Sequence, residues 1–250
     1  MRAASSQVAL GRIGRMNLLA IETATEACSV ALLCGERIIA RSEIAPRRHA
    51  ELLLPMCDAV LAEAGVARSA LDAIAVGRGP GAFTGVRLAI AATQGMALAL
   101  DLPVVPVSSL AALAMQSPRD GVAAVDSAIL AVIDARMGEV YAGAFRRSAD
   151  GLVEAIGAES VGKAAALDLP QASAWNVVGS GWTTYADALR ERLPAPPLWA
   201  EGDRYPQATD VALLAAPLLR AGKAVSAEAA LPVYLRDKVA LTLEEQRAAR

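Results

Sequence analysis

The sequence predicts an α/β fold made of two similar halves. Each half opens with the same pattern of strands and tight turns, first over residues 18–44 and again over residues 128–152. Between them, Ser117-Pro118-Arg119-Asp120-Gly121 interrupts the apolar pattern with residues that favour loops. A chain of 250 residues is long enough for one large or two small domains. We therefore predict two successive subdomains that arose by duplication.

The first half alternates short apolar runs with turn residues, and longer apolar stretches of helical character follow. Its predicted elements are strands at 18–23, 28–33 and 37–44, a helix at 49–64, a strand at 71–76, a helix at 84–100, a short strand at 104–107 and a helix from 108 or 109 to about 116. Gly65 is expected to end the first helix, because glycine readily adopts the left-handed conformation that follows many helices. The resulting order, βββαβαβα, is distinctive.

The second half repeats the opening meander and contains fewer helices afterwards. Its predicted elements are strands at 128–134, at 139–145 and from 152 onward, a short helix at 161–167, a strand at 175–179, a helix at 182–192 and a last helix at 210–221. Thr209 or Asp210 is expected to cap the last helix, and Gly222 is expected to end it.

These elements divide the chain into four parts. We expect residues 16–118 to form an N-terminal subdomain and residues 119–222 to form a C-terminal subdomain. The last helix of the C-terminal subdomain (about 209–222) could pack against the N-terminal subdomain. Residues 1–15 carry basic but no acidic side chains, and their apolar core is too short for a signal peptide, so we interpret them as a disordered extension or the product of an upstream start. Residues 223–250 form a C-terminal tail, which is polar and frayed from Arg236 onward.

Composition and charge argue against several classes of protein. The formal net charge of −2 and the pI of about 5.6 argue against a standalone nucleic-acid-binding protein, so any contact with nucleic acid is expected to be indirect or weak. The three cysteines form no Cys-x-x-Cys pair, which fits reduced thiols in the cytoplasm. From the sequence, we expect that no apolar run reaches the roughly 18 residues that a membrane span needs. The sequence predicts a cytoplasmic protein without a membrane partner.

A glycine-rich loop, Gly77-Arg78-Gly79-Pro80-Gly81-Ala82-Phe83-Thr84-Gly85-Val86-Arg87, lies between a predicted strand and a predicted helix. Its glycines and proline cannot continue either element, so the chain turns sharply there. The free N–H groups at the start of the helix can cradle an anion, or the loop can let the helix lie close to its sheet. A P-loop requires Gly-Lys-Ser/Thr and a dinucleotide fingerprint requires a third glycine, whereas this chain has Thr84-Gly85-Val86. We interpret the loop as a structural turn.

The duplicated order of elements is that of the actin-like fold, shared by sugar kinases and Hsp70-type ATPases, in which ATP lies between the halves. In such ATPases the first turn carries Asp and Gly, whereas this chain has Glu22-Thr23-Ala24-Thr25. The corresponding turn of the second half, Asp134-Ala135-Arg136, has an acid but no glycine pair. The remaining candidates to contact a phosphate are Thr23, Thr25, Gly79, Gly81 and Asp134. We predict no catalytic residue and no cofactor bound by the chain on its own.

Metal and hydrolase chemistry lack the residues that they need. His49 is the only histidine, and a metal site needs three or more converging ligands, so we predict no metal site. A serine hydrolase would need a histidine base beside Ser108 or Ser109. A peptidase is therefore the last of the functional hypotheses.

Two helices of the first half carry more apolar residues than one buried stripe requires. Small residues on the helix at 84–100 would also let another helix approach closely. The alternative is that these residues pack inside the chain. The predicted partner interface consists of Leu52, Leu53, Met56, Gly85, Ala89, Ala92 and Gly95.

Five groups of residues, taken together, resemble one family. They are Ile21-Glu22-Thr23-Ala24-Thr25 with Cys28-Ser29-Val30-Ala31, the run from Gly79 to Arg87, Val107-Ser108-Ser109-Leu110, Ile133-Asp134-Ala135-Arg136 with Glu139-Val140-Tyr141, and Pro232-Val233-Tyr234-Leu235-Arg236. They occur in order over most of the chain and resemble the bacterial TsaB (YeaZ) family. The run from Gly79 to Arg87 is the most specific of them.

The resemblance implies a non-catalytic scaffold subunit of the complex that forms N6-threonylcarbamoyladenosine at position 37 of tRNAs that read ANN codons. Such a subunit binds and activates a TsaD-like transferase through the two helices described above. It forms a homodimer through much the same face when alone, and it meets a TsaE-like ATPase through the complex. A nucleotide contact is implied only for the assembled complex.

The resemblance also implies two local departures. The metal-binding His-x-x-x-His pair of TsaD-like enzymes falls here on Ser109 and Leu113, so the metal site should be absent. Glu22 stands where relatives commonly have aspartate. The alternative function is a divergent ATP-dependent phosphotransferase of the actin-like superfamily, which would use Asp134 near the glycine-rich loop.

Overall fold

A computed structural model describes residues 16–119 and 127–236 and shows two β-sheets flanked by helices. Each sheet contains a meander of antiparallel strands that opens its half of the chain. This arrangement confirms the predicted α/β class with two halves. The predictions for residues 1–15, for 120–126 of the linker and for 237–250 of the tail lie outside the described residues.

The first half forms a five-stranded mixed sheet. Its strands are β1 (Asn17–Glu22), β2 (Ala27–Cys34), β3 (Arg37–Ile44), β4 (Ala73–Gly77) and β5 (Val104–Val107), and its helices are α1 (His49–Ala64), α2 (Phe83–Leu100) and α3 (Ser109–Ala114). The strand order is β3-β2-β1-β4-β5, with β1 to β3 antiparallel and β4 and β5 parallel to β1. As predicted, Gly65 ends α1 in the left-handed conformation, and the Ser108 hydroxyl caps α3 by accepting the Ala111 N–H at 3.1 Å.

The second half forms a six-stranded sheet. Its strands are β6 (Ala128–Arg136), β7 (Glu139–Arg147), β8 (Val153–Ala155), β9 (Ser160–Lys163), β10 (Trp175–Val178) and β11 (Trp199–Glu201), and the helices are α4 (Ser180–Arg192) and α5 (Ala208–Arg220). The order is β11-β10-β6-β7-β8, and β9 pairs with β7 beside β8.

Two local predictions for the second half were wrong, and one short strand was not predicted. The segment at 161–167 is not an α-helix, because its first residues pair with β7 as β9 and a short 3-10 turn (Ala164–Ala166) follows. The short strand β11 was missed. The last helix begins earlier than predicted, at Ala208, and the Ala208 N–H donates a hydrogen bond to the Ser29 hydroxyl of β2 at 2.9 Å. Asp210 therefore lies inside α5, where it is buried, and does not cap the helix.

Strand β1 places alternate side chains on opposite faces of the first sheet. Leu19 and Ile21 pack with α1 and α2, whereas Leu18 and Ala20 pack with α3 and α5. Helix α5 thus lies against the first sheet although it follows the second sheet in the chain. The first sheet is thus covered by helices on both faces, while its edge strand β3 is largely exposed.

Helix α2 corrects the expectation about apolar runs. It has 18 residues with a mean hydropathy of 1.3, so by length and composition alone it is apolar enough to cross a membrane. In the described structure it packs on the first sheet through Val86, Ala89 and Ile90. About a third of the helix is buried, and the C-terminal segment contacts another part of it through Gln94 and Arg87.

Candidate functional site

A cavity of about 250 Å³ lies between the two halves, where β1, β4 and β6 end. The first half contributes residues 24–26 of its first turn and residues 80–83 of the glycine-rich loop. The second half contributes residues 133–136, and residues 233–236 of the C-terminal segment complete the lining. Because ligand pockets commonly measure about 300–1,000 Å³, this cavity is small for a nucleotide.

Glu22 is a fully buried acid at the end of β1. Its carboxylate accepts the Ala24 N–H at 2.6 Å and the Ser109 hydroxyl at 2.7 Å. Burial raises the pKa of Glu22, and these hydrogen bonds act in the opposite direction. A Cβ atom on Gly77 would lie 1.9 Å from Glu22 Oε2, so a larger residue would force the carboxylate out of its hydrogen bonds. Glu22 therefore links β1 to β4 and α3 and is directed into the protein.

The glycine-rich loop packs directly on the first turn. The Ala82 N–H donates to the Ala24 carbonyl at 2.7 Å, and the Thr23 hydroxyl donates to the Gly85 carbonyl at 2.8 Å. A Cβ atom on Gly81 would lie 2.3 Å from the Ala24 oxygen, and one on Gly85 would lie 2.0 Å from the Thr23 oxygen. These glycines permit two backbone segments to touch, which supports the interpretation of the loop as a structural turn.

Gly79 makes the sharpest turn of the loop. Its φ of 89° lies in the left-handed region that favours glycine, and the Gly79–Pro80 peptide bond is cis. The Gly79 carbonyl accepts the Ser109 N–H at 3.0 Å. Like Gly81, Gly79 therefore joins the loop to neighbouring backbone.

The acid of the second turn, Asp134, already has a cationic partner. Its carboxylate accepts the Arg136 N–H at 2.8 Å and the Arg136 guanidinium at 3.0 Å, and Arg136 also reaches Glu26 of the first turn at 3.2 Å. Thr25 lines the same cavity, and its Oγ1 is buried without a hydrogen-bond partner among the described residues. The turn is built around an internal ion pair.

These features do not fit the nucleotide that actin-like ATPases hold between their halves. The cavity is small, and the two loops of the first half bond to each other. Arg136 neutralises Asp134, the acid that would have to hold a magnesium water. No step of nucleotide chemistry follows from the site as this chain builds it.

The predicted partner interface is divided by the structure into buried and accessible residues. Leu53, Gly85 and Ala89 are buried, because they are the residues of α1 and α2 that face the sheet or the first turn. These three residues must therefore be removed from the predicted set. Leu52, Met56 and Ala92 are half-buried, and Gly95 is exposed.

The surface that α1 and α2 do expose is nevertheless apolar. Leu54 and Leu98 are 54% and 60% exposed, and Gly95 and Ala99 lie beside Leu98 on the outer side of α2. A groove of about 320 Å³ runs between the two helices and is lined by Leu54, Met96, Ala99 and other apolar side chains, with Asp58 and Arg68 at its rim. We call Leu54, Gly95, Leu98 and Ala99, with this groove, the α1–α2 face.

The chain is similar to several known bacterial proteins. A family model described as TsaD, tRNA N6-adenosine threonylcarbamoyltransferase, matches residues 35–242. The tRNA threonylcarbamoyladenosine biosynthesis protein TsaB of Escherichia coli K12 is 40% identical over 229 residues, which cover 90% of this chain and 96% of the relative. TsaB of Haemophilus influenzae is 47% identical over 126 residues, which cover 50% and 52%. The solved structure of YeaZ from Pseudomonas aeruginosa superimposes with a TM-score of 0.80 at 46% identity, covering 88% of this chain and 100% of that one.

The chain belongs to the TsaB (YeaZ) family. Membership places it in the biosynthesis of threonylcarbamoyladenosine in tRNA, the pathway for which these relatives are named. The match to a TsaD model over most of the chain and the superposition on YeaZ also confirm the actin-like fold.

The two positions on which the family resemblance places the metal-binding histidines of TsaD-like enzymes have other roles in this chain. The Ser109 hydroxyl donates to Glu22, and Leu113 is fully buried in the core between the two halves. Residues 16–119 and 127–236 hold no group of three or more His, Cys, Asp or Glu side chains that could hold a metal ion. The described part of the chain thus offers no donor set at these positions.

Sequence reasoning missed the residues that join the two halves at the cleft. Arg236 pairs with Glu139 at 2.5 Å, and the Ser108 hydroxyl donates to Glu159, which also lies 3.9 Å from Arg78. Arg236 does belong to a motif shared with the family, but nothing in the local pattern indicates which partner it meets. Glu159 lies in an irregular segment, and the sequence around it does not indicate that it contacts the first half.

Proposed function

We propose that this chain is a non-catalytic scaffold subunit that binds a TsaD-like transferase and activates it for the formation of N6-threonylcarbamoyladenosine at position 37 of ANN-decoding tRNAs. The observation that carries this proposal is the α1–α2 face, an apolar surface on a family member whose cleft does not fit a nucleotide. The TsaE-like ATPase then acts through the complex, and tRNA is contacted indirectly or weakly. This role places the chain in the cytoplasm.

The α1–α2 face has the properties of a docking surface. Leu54 and Leu98 are each more than half exposed, and burying a leucine side chain typically contributes about 1.5–3 kcal/mol. Small residues at Gly95 and Ala99 leave room for a partner helix beside Leu98. Gly95 has no side chain, and within the described part of the chain no atom outside the helix lies within 4 Å of where a Cβ would be, so the backbone of α2 is accessible there.

The same face accounts for the homodimer that the family resemblance implies. A second copy of the chain and a TsaD-like subunit have related folds, and each can present an equivalent helix pair. The two partners would then compete for one surface. We propose that the homodimer is the resting form and that the transferase displaces one copy.

The alternative function, an ATP-dependent phosphotransferase, requires Asp134 to be free near the glycine-rich loop. In the described structure, Asp134 forms an ion pair with Arg136. The Ala82 N–H, which would face a phosphate, donates a hydrogen bond to the Ala24 carbonyl instead. The geometry therefore supports the scaffold better than the enzyme.

The experiment that tests the scaffold is a reconstituted tRNA modification assay with the TsaD-like and TsaE-like proteins of the same organism, with and without this chain. We expect N6-threonylcarbamoyladenosine to form only when the chain is present. The Asp134→Asn variant should support modification as well as the wild type does, because it keeps the shape of the turn. Modification that proceeds fully without this chain would contradict the proposal.

A further inference from the structure

The C-terminal segment follows α5 and runs along the first half before it reaches the cleft. Val225 forms two hydrogen bonds with Val104 at the edge of the first sheet, at 2.8 and 2.9 Å. Ala227 and Ala230 are then buried against α2, and the Gln94 side chain donates to the Ala230 carbonyl at 3.1 Å. The segment is thus fixed to the first half over most of its length.

At the cleft, residues 232–236 lie against the glycine-rich loop and the start of α2. The Val233 N–H donates to the Arg78 carbonyl at 2.9 Å. The Tyr234 hydroxyl accepts the Arg87 side chain at 2.5 Å, and the Arg87 guanidinium lies 3.7 Å from the ring centre of Phe83. The Phe83 and Tyr234 rings are 5.8 Å apart, so the arginine and the two rings form one cluster.

Arg236 then crosses to the second half. Its guanidinium donates to the Ala135 carbonyl at 3.2 Å and pairs with Glu139 at 2.5 Å, on the turn between β6 and β7. The Arg236 and Glu139 side chains are 19% and 33% exposed. A second ion pair, Arg136–Glu26, joins the two turns directly, but its arginine is 73% exposed. Exposed ion pairs contribute little to stability, whereas a partly buried pair with an added carbonyl hydrogen bond contributes more.

We propose that residues 232–236 form a clamp that holds the two halves closed across the cleft, in the position where other actin-like proteins use a bound nucleotide. The clamp is anchored on the first half by Val233 and Tyr234, and Arg236 closes it on the second half. Because it is covalently part of the chain, closure needs no ligand. This inference concerns the relation between the halves and does not depend on the proposed partner.

The direct test measures the distance between the halves in the full-length chain with two spin labels, one at Ser42→Cys in β3 and one at Asp187→Cys in α4, both exposed positions. Cys34 is replaced by serine in this background. Cys28 and Cys57 can stay, because burial raises their pKa values to about 11 and about 12 and keeps the thiols from reacting. The wild-type background should give a single narrow distance distribution without added nucleotide.

Arg236→Ala should broaden this distribution and lengthen its mean. The Val233 amide should also exchange about tenfold faster, which corresponds to roughly 1.4 kcal/mol. The matched control is Arg204→Ala, which removes the exposed Glu201–Arg204 pair away from the clamp and should change neither readout. A distribution for Arg236→Ala that equals that of the wild type would overturn the proposal.

A charge exchange makes the test independent of folding defects in one variant. Arg236→Glu and Glu139→Arg should each open the cleft, and the double variant should restore the narrow distribution, because the pair is re-formed with reversed polarity. A double variant that stays as open as either single variant would also overturn the assignment of the pair. Circular dichroism establishes that each variant is folded.

Discussion

The Ala82 amide donates to the Ala24 carbonyl at 2.7 Å, so the glycine-rich loop and the first turn of the chain bind each other. In a nucleotide-binding protein of this fold, backbone groups at such turns face phosphate. Here the two segments are close enough that side chains on Gly81 or Gly85 would overlap the neighbouring carbonyl oxygens. The loop therefore serves the packing of the first half.

Gly85→Ala is expected to destabilise the protein by about 2 kcal/mol or more, because its Cβ would lie 2.0 Å from the Thr23 oxygen and backbone cannot move aside cheaply. The matched control, Gly95→Ala, lies in the same helix with nothing within 4 Å of its Cβ position. Alanine should stabilise the helix there by roughly 0.5–1 kcal/mol. Urea unfolding measures both; equal effects of the two substitutions would contradict the packing role of Gly85.

Stability should fall with rising pH because of Asp210. Burial raises the pKa of Asp210 to about 7 from an ordinary value of 3.8, while Gln116, Arg119 and Arg147 act in the opposite direction. The folded state thus binds the proton more tightly, so the stabilisation is full below about pH 4 and is lost as the pH rises through about 7. We expect the free energy of unfolding to decrease by on the order of 1–4 kcal/mol across this window.

Asp210→Asn should remove most of this dependence, and urea unfolding at several pH values would show it. A residual slope of the same sign should remain, because burial also raises the pKa of Glu22. Asp187→Asn is the control, since that side chain is 97% exposed and should leave the profile unchanged. An Asp210→Asn variant with the full wild-type slope would show that Asp210 is ionised in the folded state.

Much of the first half follows from local sequence. The alternation of turn residues and apolar runs predicted β3, α1 and β5 at their observed limits. Gly65 predicted the end of α1, because the left-handed conformation that ends a helix depends on this one residue. The second half was harder: β9 and β11 are short strands that exist only because β7 and β10 lie beside them. Short segments carry too little periodicity to distinguish a strand from a helical turn.

The candidate site was predictable only in part. The residue types at the two turns indicated that the phosphate-binding pattern of actin-like ATPases is incomplete here. They did not indicate that Thr23 and Ala24 form hydrogen bonds with the glycine-rich loop instead. On α1 and α2, apolar residues occur all round the helix, so periodicity did not tell the side that faces the sheet from the side that faces solvent. That is why Leu53 and Ala89 entered the predicted interface although both are buried.

Mg-ATP should not stabilise the isolated chain. A ligand present at 100 times its Kd raises the free energy of unfolding by about 2.7 kcal/mol, which thermal unfolding detects readily. We expect no change in Tm with ~1 mM Mg-ATP, because the cavity is small and Asp134 is paired with Arg136. An increase in Tm that disappears in Asp134→Asn would support the phosphotransferase.

The measurement that tests the central claim most directly is the affinity of the TsaD-like subunit for variants of the α1–α2 face, determined by calorimetry. Leu54→Arg and Leu98→Arg should each weaken binding roughly 10- to 100-fold and leave the fold intact, because both side chains are mostly exposed in the single chain. Leu198→Arg is the control, an exposed leucine of the second half that should bind as the wild type does. If both α1–α2 variants bind with wild-type affinity, the α1–α2 face is not the docking surface and the scaffold account fails.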